Sequence, residues 1–547
     1  MSWYDDRPWL AQYDDVARAA ESVASRTATQ MLAEAVAASP DGAAVTYLGS
    51  TLTYQDVDEL SDGVAGYLRE QGFRPGDRLG LYLQNVPQFV LALFGAWKAG
   101  GVVVPLNPMY RDELAHIFAD AEVTALICGE REWADRVASR AEEAGVRIVL
   151  TASELDLQTT DDPRLFPARE RTRSPGIEDV LEVARSRAGS AVADPGLHPD
   201  SVALVSYTSG TSGRSKGATN THRNLCANSS NLRLLSRVPS GSPIFALAPL
   251  FHITGMVGQL LNAVDLASPL VLAYRFEPGV VLDVLRRERP AFMIGPSTAY
   301  MALMSHPDFS RDAFSSFRTV ASGGAPLPPA VVEQFRDATG LYLRNGYGLT
   351  ESSAGTAAVP VGREAPVDPD SGTLSVGVPL PAALVRIVDE NRRDLEPGEV
   401  GEITVEGPMV VPAYWNLPDA TSESIPNGRL FTGDIGFMDE DGWLYVVDRK
   451  KDMINASGFK VWPREVEDVL YQHPAVREAA VVGMPDDYRG ETVAAFVSLR
   501  PGHAVEPEQV VSFCRERLAA YKAPRSVVVL DELPKTASGK ILRREMR

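Results

Sequence analysis

Tyr207-Thr-Ser-Gly-Thr-Ser-Gly-Arg-Ser-Lys-Gly217 is the most informative stretch of this chain. It follows Val202 to Ser206, an apolar run that reads as a strand. Gly210, Gly213 and Gly217 free the backbone to expose its N–H groups. Hydroxyls on Thr208, Ser209, Thr211 and Ser212 add donors, and Lys216 adds positive charge. A loop built this way cradles phosphates. It is not a Walker A loop, because G-x-x-x-x-G-K-[ST] does not fit. A Ser/Gly-rich surface turn is the plainer alternative, and eleven residues in this order argue against it.

Outward from this loop the elements alternate. Thr53 can cap a helix whose apolar residues Val57, Leu60, Val64, Tyr67 and Leu68 recur at three and four, with Gly72 after it. Leu79 to Leu83 reads as a strand and Val86 to Ala99 as a helix stopped by Gly100 and Gly101. Val102 to Val104 reads as the next strand. Such alternation predicts a mostly parallel sheet covered by helices, and it recurs from Val202 to about Leu343. Thr151 to Asp200 reads as a surface connection with one short helix.

From Leu384, short alternating runs separated by turns predict a small antiparallel unit. Beyond Asp452 come a helix (Arg464 to Tyr471), strands (Ala479 to Val482 and Val493 to Leu499), a helix (Pro507 to Ala520) and a strand (Ser526 to Leu530). The expected fold is a large α/β N-terminal domain, 1–450, made of two parallel-type α/β subdomains and a small β subdomain. A small α+β C-terminal domain, 452–547, follows.

Composition narrows the partners. Of 547 residues, 45% are hydrophobic and 23% charged, which excludes wholesale disorder and fibrous repeats. The net charge of −19 makes nucleic acid and anionic membrane surfaces poor partners. Residues 452–547 carry 14 basic and 14 acidic side chains, so the acid excess lies entirely in the larger part. Cys128, Cys226 and Cys514 are too far apart in sequence for a disulfide framework or a spaced zinc cage, which suits a reducing cytoplasm. Met1 to Asp15 shows no secretion-signal pattern, and Phe89 to Trp97 is too short for a transmembrane segment. The sequence leaves the oligomeric state open, a homodimer included.

Further motifs follow in order: Ala248-Pro-Leu-Phe-His-Ile-Thr-Gly255, Ser322-Gly-Gly-Ala-Pro326, Asn345-Gly-Tyr-Gly-Leu-Thr-Glu351, Thr432-Gly-Asp434, Asp448-Arg-Lys-Lys-Asp452 with Ser457-Gly-Phe459, and Pro534-Lys-Thr-Ala-Ser-Gly-Lys540. With the opening loop, from about Thr27 to Arg547, the chain resembles the adenylate-forming superfamily of acyl-CoA synthetases, peptide-synthetase adenylation domains and luciferases. It looks most like a fatty-acid–CoA ligase. The usual family loop is close to Y-T-S-G-T-T-G-x-P-K-G; Ser212 and Ser215 depart from it here and keep hydroxyls, glycines and Lys216.

The resemblance implies an ATP-dependent acid–CoA ligase. The acid attacks the α-phosphorus of ATP, giving acyl-AMP and pyrophosphate; coenzyme A then expels AMP. Charge gathers on both phosphate fragments, so catalysis rests on positioning and charge stabilisation. Lys540 is the implied cation beside the carboxylate and α-phosphate. Glu351, with Thr208, would hold Mg²⁺, a hard ion that prefers oxygen. Thr350 would donate to the α-phosphate. Tyr347, with Asn345, Gly346 and Gly348, would face adenine, beside the Gly324-Ala325-Pro326 loop. Asp434 and Arg449 would take the ribose. The small domain would rotate about Lys451, leaving Ser457, Gly458 and Phe459 beside the pantetheine, where only a residue without a side chain gives space.

The implied acyl pocket is small or apolar: Met256, Gly323, Gly324, Gly346 and Gly348, followed by Leu260 and Ile294, with His252 at the gate. Acetate-specific relatives place tryptophan near Gly348, and amino-acid adenylation domains place aspartate where His252 stands. The first departure argues against acetate and the second for an unaminated acid. Arg7-Pro-Trp-Leu-Ala-Gln-Tyr13 and the run Val447 to Gly458 look most like fatty-acid ligases, so the resemblance implies a medium- to long-chain fatty acid, with an aryl or branched acid the rival. An acyl-AMP ligase that loads a carrier protein is the other enzyme reading, and a non-catalytic nucleotide-binding protein the different-class one.

Overall fold

The computed structural model describes residues 2–14, 25–166, 170–208, 215–369, 371–449, 452–456, 459–486, 490–536 and 540–546. Among them, a seven-stranded sheet runs Glu178–Asp179, Ile148–Ala152, Val123–Gly129, Arg78–Tyr82, Val102–Pro105, Val202–Tyr207 and Gly217–Thr221. Every pairing is parallel except the last, the hairpin whose turn carries the phosphate-type loop. The strand that follows the loop in sequence lies at the sheet edge and leads into the helix His222–Ser236.

A nine-stranded sheet is parallel from Ala43–Tyr47 through Leu343–Leu349 and closes at both ends with antiparallel strands. One apolar core joins both sheets, from Val45 and Phe292 to Leu79 and Ile127. Helices Tyr54–Glu70 and Pro87–Lys98 lie within it. The first starts as the sequence requires: Thr53 and Asp56 form a reciprocal capping box, supplying two of the N–H partners a helix start lacks. The second is apolar all round because it is buried from Pro87 to Trp97.

Leu384–Val388, Gly401–Glu406, Leu430–Met438 and Leu444–Arg449 form a four-stranded antiparallel sheet. Beyond it, Ile454–Ala456, Phe459–Val461, Val476–Asp486, Gly490–Leu499 and Ser526–Leu530 make a separate sheet with its own core around Val466, Val481 and Val497. Ser526–Leu530 joins it in parallel. Val476–Asp486 outruns the expected Ala479 to Val482 because its partner Gly490–Leu499 continues the ladder to Asp486.

Candidate active site

A cavity of about 1410 Å³ lies between the large sheets and the C-terminal part. Its wall includes Thr208, Lys216, His252, Glu351, Asp434 and Lys540. Five separate sequence motifs thus meet at one opening.

At the phosphate end, Thr208 N–H donates to Lys216 O at 2.9 Å, closing the hairpin stem. Ser209, Gly210, Thr211, Ser212 and Gly213 lie outside the described residues. The stem is fastened from its outer side. Thr219 donates to Ala413 O through N–H (3.0 Å) and Oγ1 (2.7 Å), and Trp415 N–H donates to Gly217 O at 2.7 Å. Lys216 Nζ sits 5.0 Å from the centre of the Tyr414 ring, and Tyr414 OH donates to Glu351 Oε1 at 2.8 Å. Asn220 Nδ2 donates to Thr350 O at 3.0 Å, tying the same stem to the Thr350–Glu351 turn.

At the nucleoside end, Tyr347 OH donates to Asp434 Oδ2 at 2.7 Å. Asp434 faces Arg449 directly across the antiparallel ladder; the Arg449 side chain is outside the description. Gly324, Ala325 and Pro326 line the cavity, Gly324 at φ +80. Asn345 and Gly346 also line it, and Asn345 Nδ2 is held by Ser375 O at 3.1 Å. Gly348 lines the cavity as expected, and it has a second reason to be glycine: a Cβ there would stand 1.6 Å from Ala354 O on the close antiparallel strand.

At the acyl end, burial holds the His252 imidazole down to about 4, aided by the positive charge of Lys540. The ring is therefore neutral at pH 7. Its Nδ1 accepts from Thr254 N–H at 3.3 Å, so Nε2 carries the proton. The next segment, Met256–Leu261, is a π-helical turn. It changes which side chains face inward. Met256 and Leu260 are buried and do not line the cavity; Gly258 does. The expected Met256 wall is therefore corrected to Gly258. Gly323 and Ile294 line the cavity as expected, and it continues past them to Phe292, Thr319, Leu232 and Ser236. From Gly323 back to Thr319 is about 13 Å of strand.

Lys540 belongs to a small C-terminal turn: Thr536 N–H donates to Lys540 O at 2.7 Å, and Lys540 N–H to Thr536 Oγ1 at 3.1 Å. Three residues on, Arg543 bonds Glu467 at 2.7 Å and Asp448 at 3.1 Å, linking the C-terminal part to the Leu444–Arg449 strand. Arg464 N–H donates to Asp448 Oδ2 at 2.9 Å and its Nη1 to Val446 O at 2.7 Å. Lys451, Ser457 and Gly458 lie outside the described residues, as does the Phe459 side chain.

Sequence reading missed Tyr414, Gly258 and Arg543. Tyr414 follows an unremarkable Val-Val-Pro-Ala run, and only the strand register reveals its neighbours. Gly258 lies two residues after Met256, and its place at the wall follows only from the π-helical turn. Arg543 sat three residues beyond Lys540 with a charge that already hinted at a partner.

Two family models match: AMP-binding enzyme over residues 32–415, and AMP-binding enzyme C-terminal domain over 465–540. A long-chain-fatty-acid–CoA ligase of Bacillus subtilis (strain 168) is 34% identical, over 99% of this chain and 97% of its own. A feruloyl-CoA synthase of Amycolatopsis sp. is 36% identical over 93% and 96%. The solved anthranilate CoA ligase AuaEII in complex with anthranoyl-AMP superposes with a TM-score of 0.86 at 26% identity, covering 96% of this chain and 97% of that one. With the motifs gathered at one cavity, these likenesses settle the kinship: the chain belongs to the AMP-binding enzyme family of adenylate-forming acyl-CoA ligases.

Proposed function

We propose that this enzyme activates a medium- to long-chain fatty acid with ATP and transfers it to coenzyme A, releasing pyrophosphate and then AMP. The observation that carries the reading is Lys540 at the cavity wall, close enough to His252 to depress its basicity. One cation is thereby offered where an acyl carboxylate and an α-phosphate would meet. In the first step the carboxylate attacks phosphorus and pyrophosphate leaves. Lys540 offsets charge at the attacking end, and Lys216 with the phosphate loop offsets it at the leaving end. Thr350 donates to the α-phosphate, Asp434 accepts from the ribose, and the Tyr347 ring lies against adenine. Neutral His252 adds no charge beside the apolar channel and can donate through Nε2.

Glu351 suits a magnesium ion. Its carboxylate is a hard oxygen donor on the cavity wall shared with Thr208, and Tyr414 occupies only Oε1. When bound, the ion would neutralise phosphate charge. Glu351 would hold it, with the Thr208 hydroxyl nearby.

For the second step we place a hinge at Lys451 between residues 1–450 and 452–547. Rotation would withdraw Lys540 and bring Ser457, Gly458 and Phe459 to the thiol path. The deep continuation to Thr319 and Ser236 supports an extended aliphatic acid. The feruloyl- and anthranilate-type relatives favour an aryl acid as second reading. Buried Cys128, Cys226 and Cys514 fit a cytoplasmic enzyme. An acid panel from C2 to C18 plus aryl acids, scored by AMP formed with and without CoA, tests the assignment. Best turnover with aryl acids would move it to the second reading. AMP formation that ignores CoA but responds to a phosphopantetheinylated carrier would replace the acceptor.

A further inference from the structure

We propose that Tyr414 is a positioning residue that fixes the phosphate-loop cation Lys216 and the carboxylate of Glu351 to a single aromatic ring. The inference deepens the adenylate-forming reading and rests on it for the roles of Lys216 and Glu351. Three observations carry it. The phenol donates to Glu351 Oε1 at 2.8 Å, and the ring centre lies 5.0 Å from Lys216 Nζ. The residue is buried, 7% exposed, so neither contact is diluted by water. Its backbone is woven into both partners' supports. Tyr414 bridges Ala218 in the loop stem, flanked by the Ala413–Thr219 and Trp415–Gly217 bonds, while Val411 N–H donates to Glu351 O at 2.9 Å.

The phenol's hydrogen bond holds Oε1 in place and leaves Oε2 for other partners. The ring face offers Lys216 a resting place of opposite polarity. Pyrophosphate departure concentrates negative charge between these two groups. A shared ring sets their separation before ATP arrives, so that alignment is not left to two independently mobile side chains. Tyr414 touches neither reacting atom in this account; it acts through the residues it holds.

Tyr414→Phe keeps the ring and removes the donor; Tyr414→Leu removes both. Acid-dependent pyrophosphate release, thioester formation from supplied acyl-AMP, and ATP binding by calorimetry in Mg²⁺ and in EDTA separate the roles. Tyr414→Phe should slow pyrophosphate release about tenfold and raise the Mg²⁺ needed for half-maximal ATP binding several-fold. It should leave thioester formation and ATP affinity in EDTA within about twofold. Tyr414→Leu should also weaken ATP binding in EDTA about fivefold, through loss of the ring contact. Tyr414→Phe matching the parent in both pyrophosphate release and Mg²⁺ titration overturns the proposal. So does an equal fall in both half-reactions with a lower unfolding midpoint, the pattern of a merely structural residue. If the parent enzyme releases no pyrophosphate with any acid, the functional reading fails; the binding arms in Mg²⁺ and EDTA still decide the coupling.

Discussion

Lys216 and Lys540 reach one cavity from two kinds of support. Lys216 ends a β-hairpin stem bonded on one side to its sister strand and on the other to residues 413–415. Every tie is a backbone ladder or a bond to it. Lys540 is bonded to Thr536, and the C-terminal part joins the large body mainly through side chains: Arg543 to the Asp448 carboxylate, which also accepts from Arg464 N–H, and the Arg464 guanidinium to Val446 O. Backbone ladders break only with the fold. An ion cluster can open and re-form with modest loss, because water and new partners take over its charges. On the proposed mechanism, the cation that would serve a bound nucleotide throughout is built into the ladder, and the one needed for a single step stands on the part held by side chains.

That contrast is sharpest in Lys540→Ala. Removing a preorganised charge should cost about 3–4 kcal/mol of barrier, or 10²–10³-fold, in acid-dependent pyrophosphate release. CoA attack on supplied acyl-AMP should stay within a few-fold. Equal loss of both steps would mean that Lys540, like Lys216, serves throughout. Next in size is the acyl end. A Cβ on Gly258 would come within 3.3 Å of Ile294 Cγ2 and 3.8 Å of Leu232 Cδ1, so Gly258→Val narrows the channel between helix and strand. Activity on C16 acid should fall about 10–100-fold while C6 to C8 acids are spared. An unchanged chain-length profile would place the acid elsewhere.

Asp448→Asn tests the detachable tie itself. The amide keeps an acceptor for Arg464 N–H and loses the charge facing Arg543. Pyrophosphate release should slow about tenfold, the worth of one charge-assisted bond. Thioester formation from acyl-AMP should hold or rise. A fall in both would make the cluster a structural rivet.

Most of the architecture was legible in the sequence because local signals agreed. Thr53 capped its helix, Val202 to Ser206 formed the strand before the glycine-rich loop, and the alternating runs after Leu384 became the antiparallel sheet. The site was legible as motifs, since loops that meet phosphate spend glycines and hydroxyls conspicuously. What stayed hidden depended on register. Met256 was expected to face the acid, but one π-turn rotates the segment and puts Gly258 there. Gly348 lines the cavity as its position suggested, and the carbonyl of Ala354 across the ladder adds a constraint that the sequence did not show. Tyr414 acquires meaning only from residues some 60 and 200 positions away, a non-local pairing that no window of sequence contains.

The smallest effect concerns pH and the same detachable tie. Burial pushes the Asp468 carboxyl up to about 7; it is opposed by Arg464 and raised further by the negative charges of Glu467, Asp448 and Glu465. Its nearest cation, Arg464 Nε, is 4.0 Å away, too long to offset the loss of water. A carboxyl raised in the fold favours folding while protonated. Its contribution is complete below the unfolded value of 3.8 and is lost as pH rises through about 7. The cluster beside Asp448 should therefore loosen between pH 4 and 7. Asp468→Asn fixes the uncharged form. Its unfolding midpoint should exceed the parent's by a few degrees at pH 8, and the gap should narrow steadily toward pH 5. Asp468 makes no hydrogen bond or ion pair with the Lys216 hairpin among the described contacts, so ATP affinity should show no matching change between the two proteins. A gap that stays constant with pH would mean that the aspartate is ionised throughout, and that the tie holding the lysine-bearing part is as insensitive to protons as the ladder holding the other.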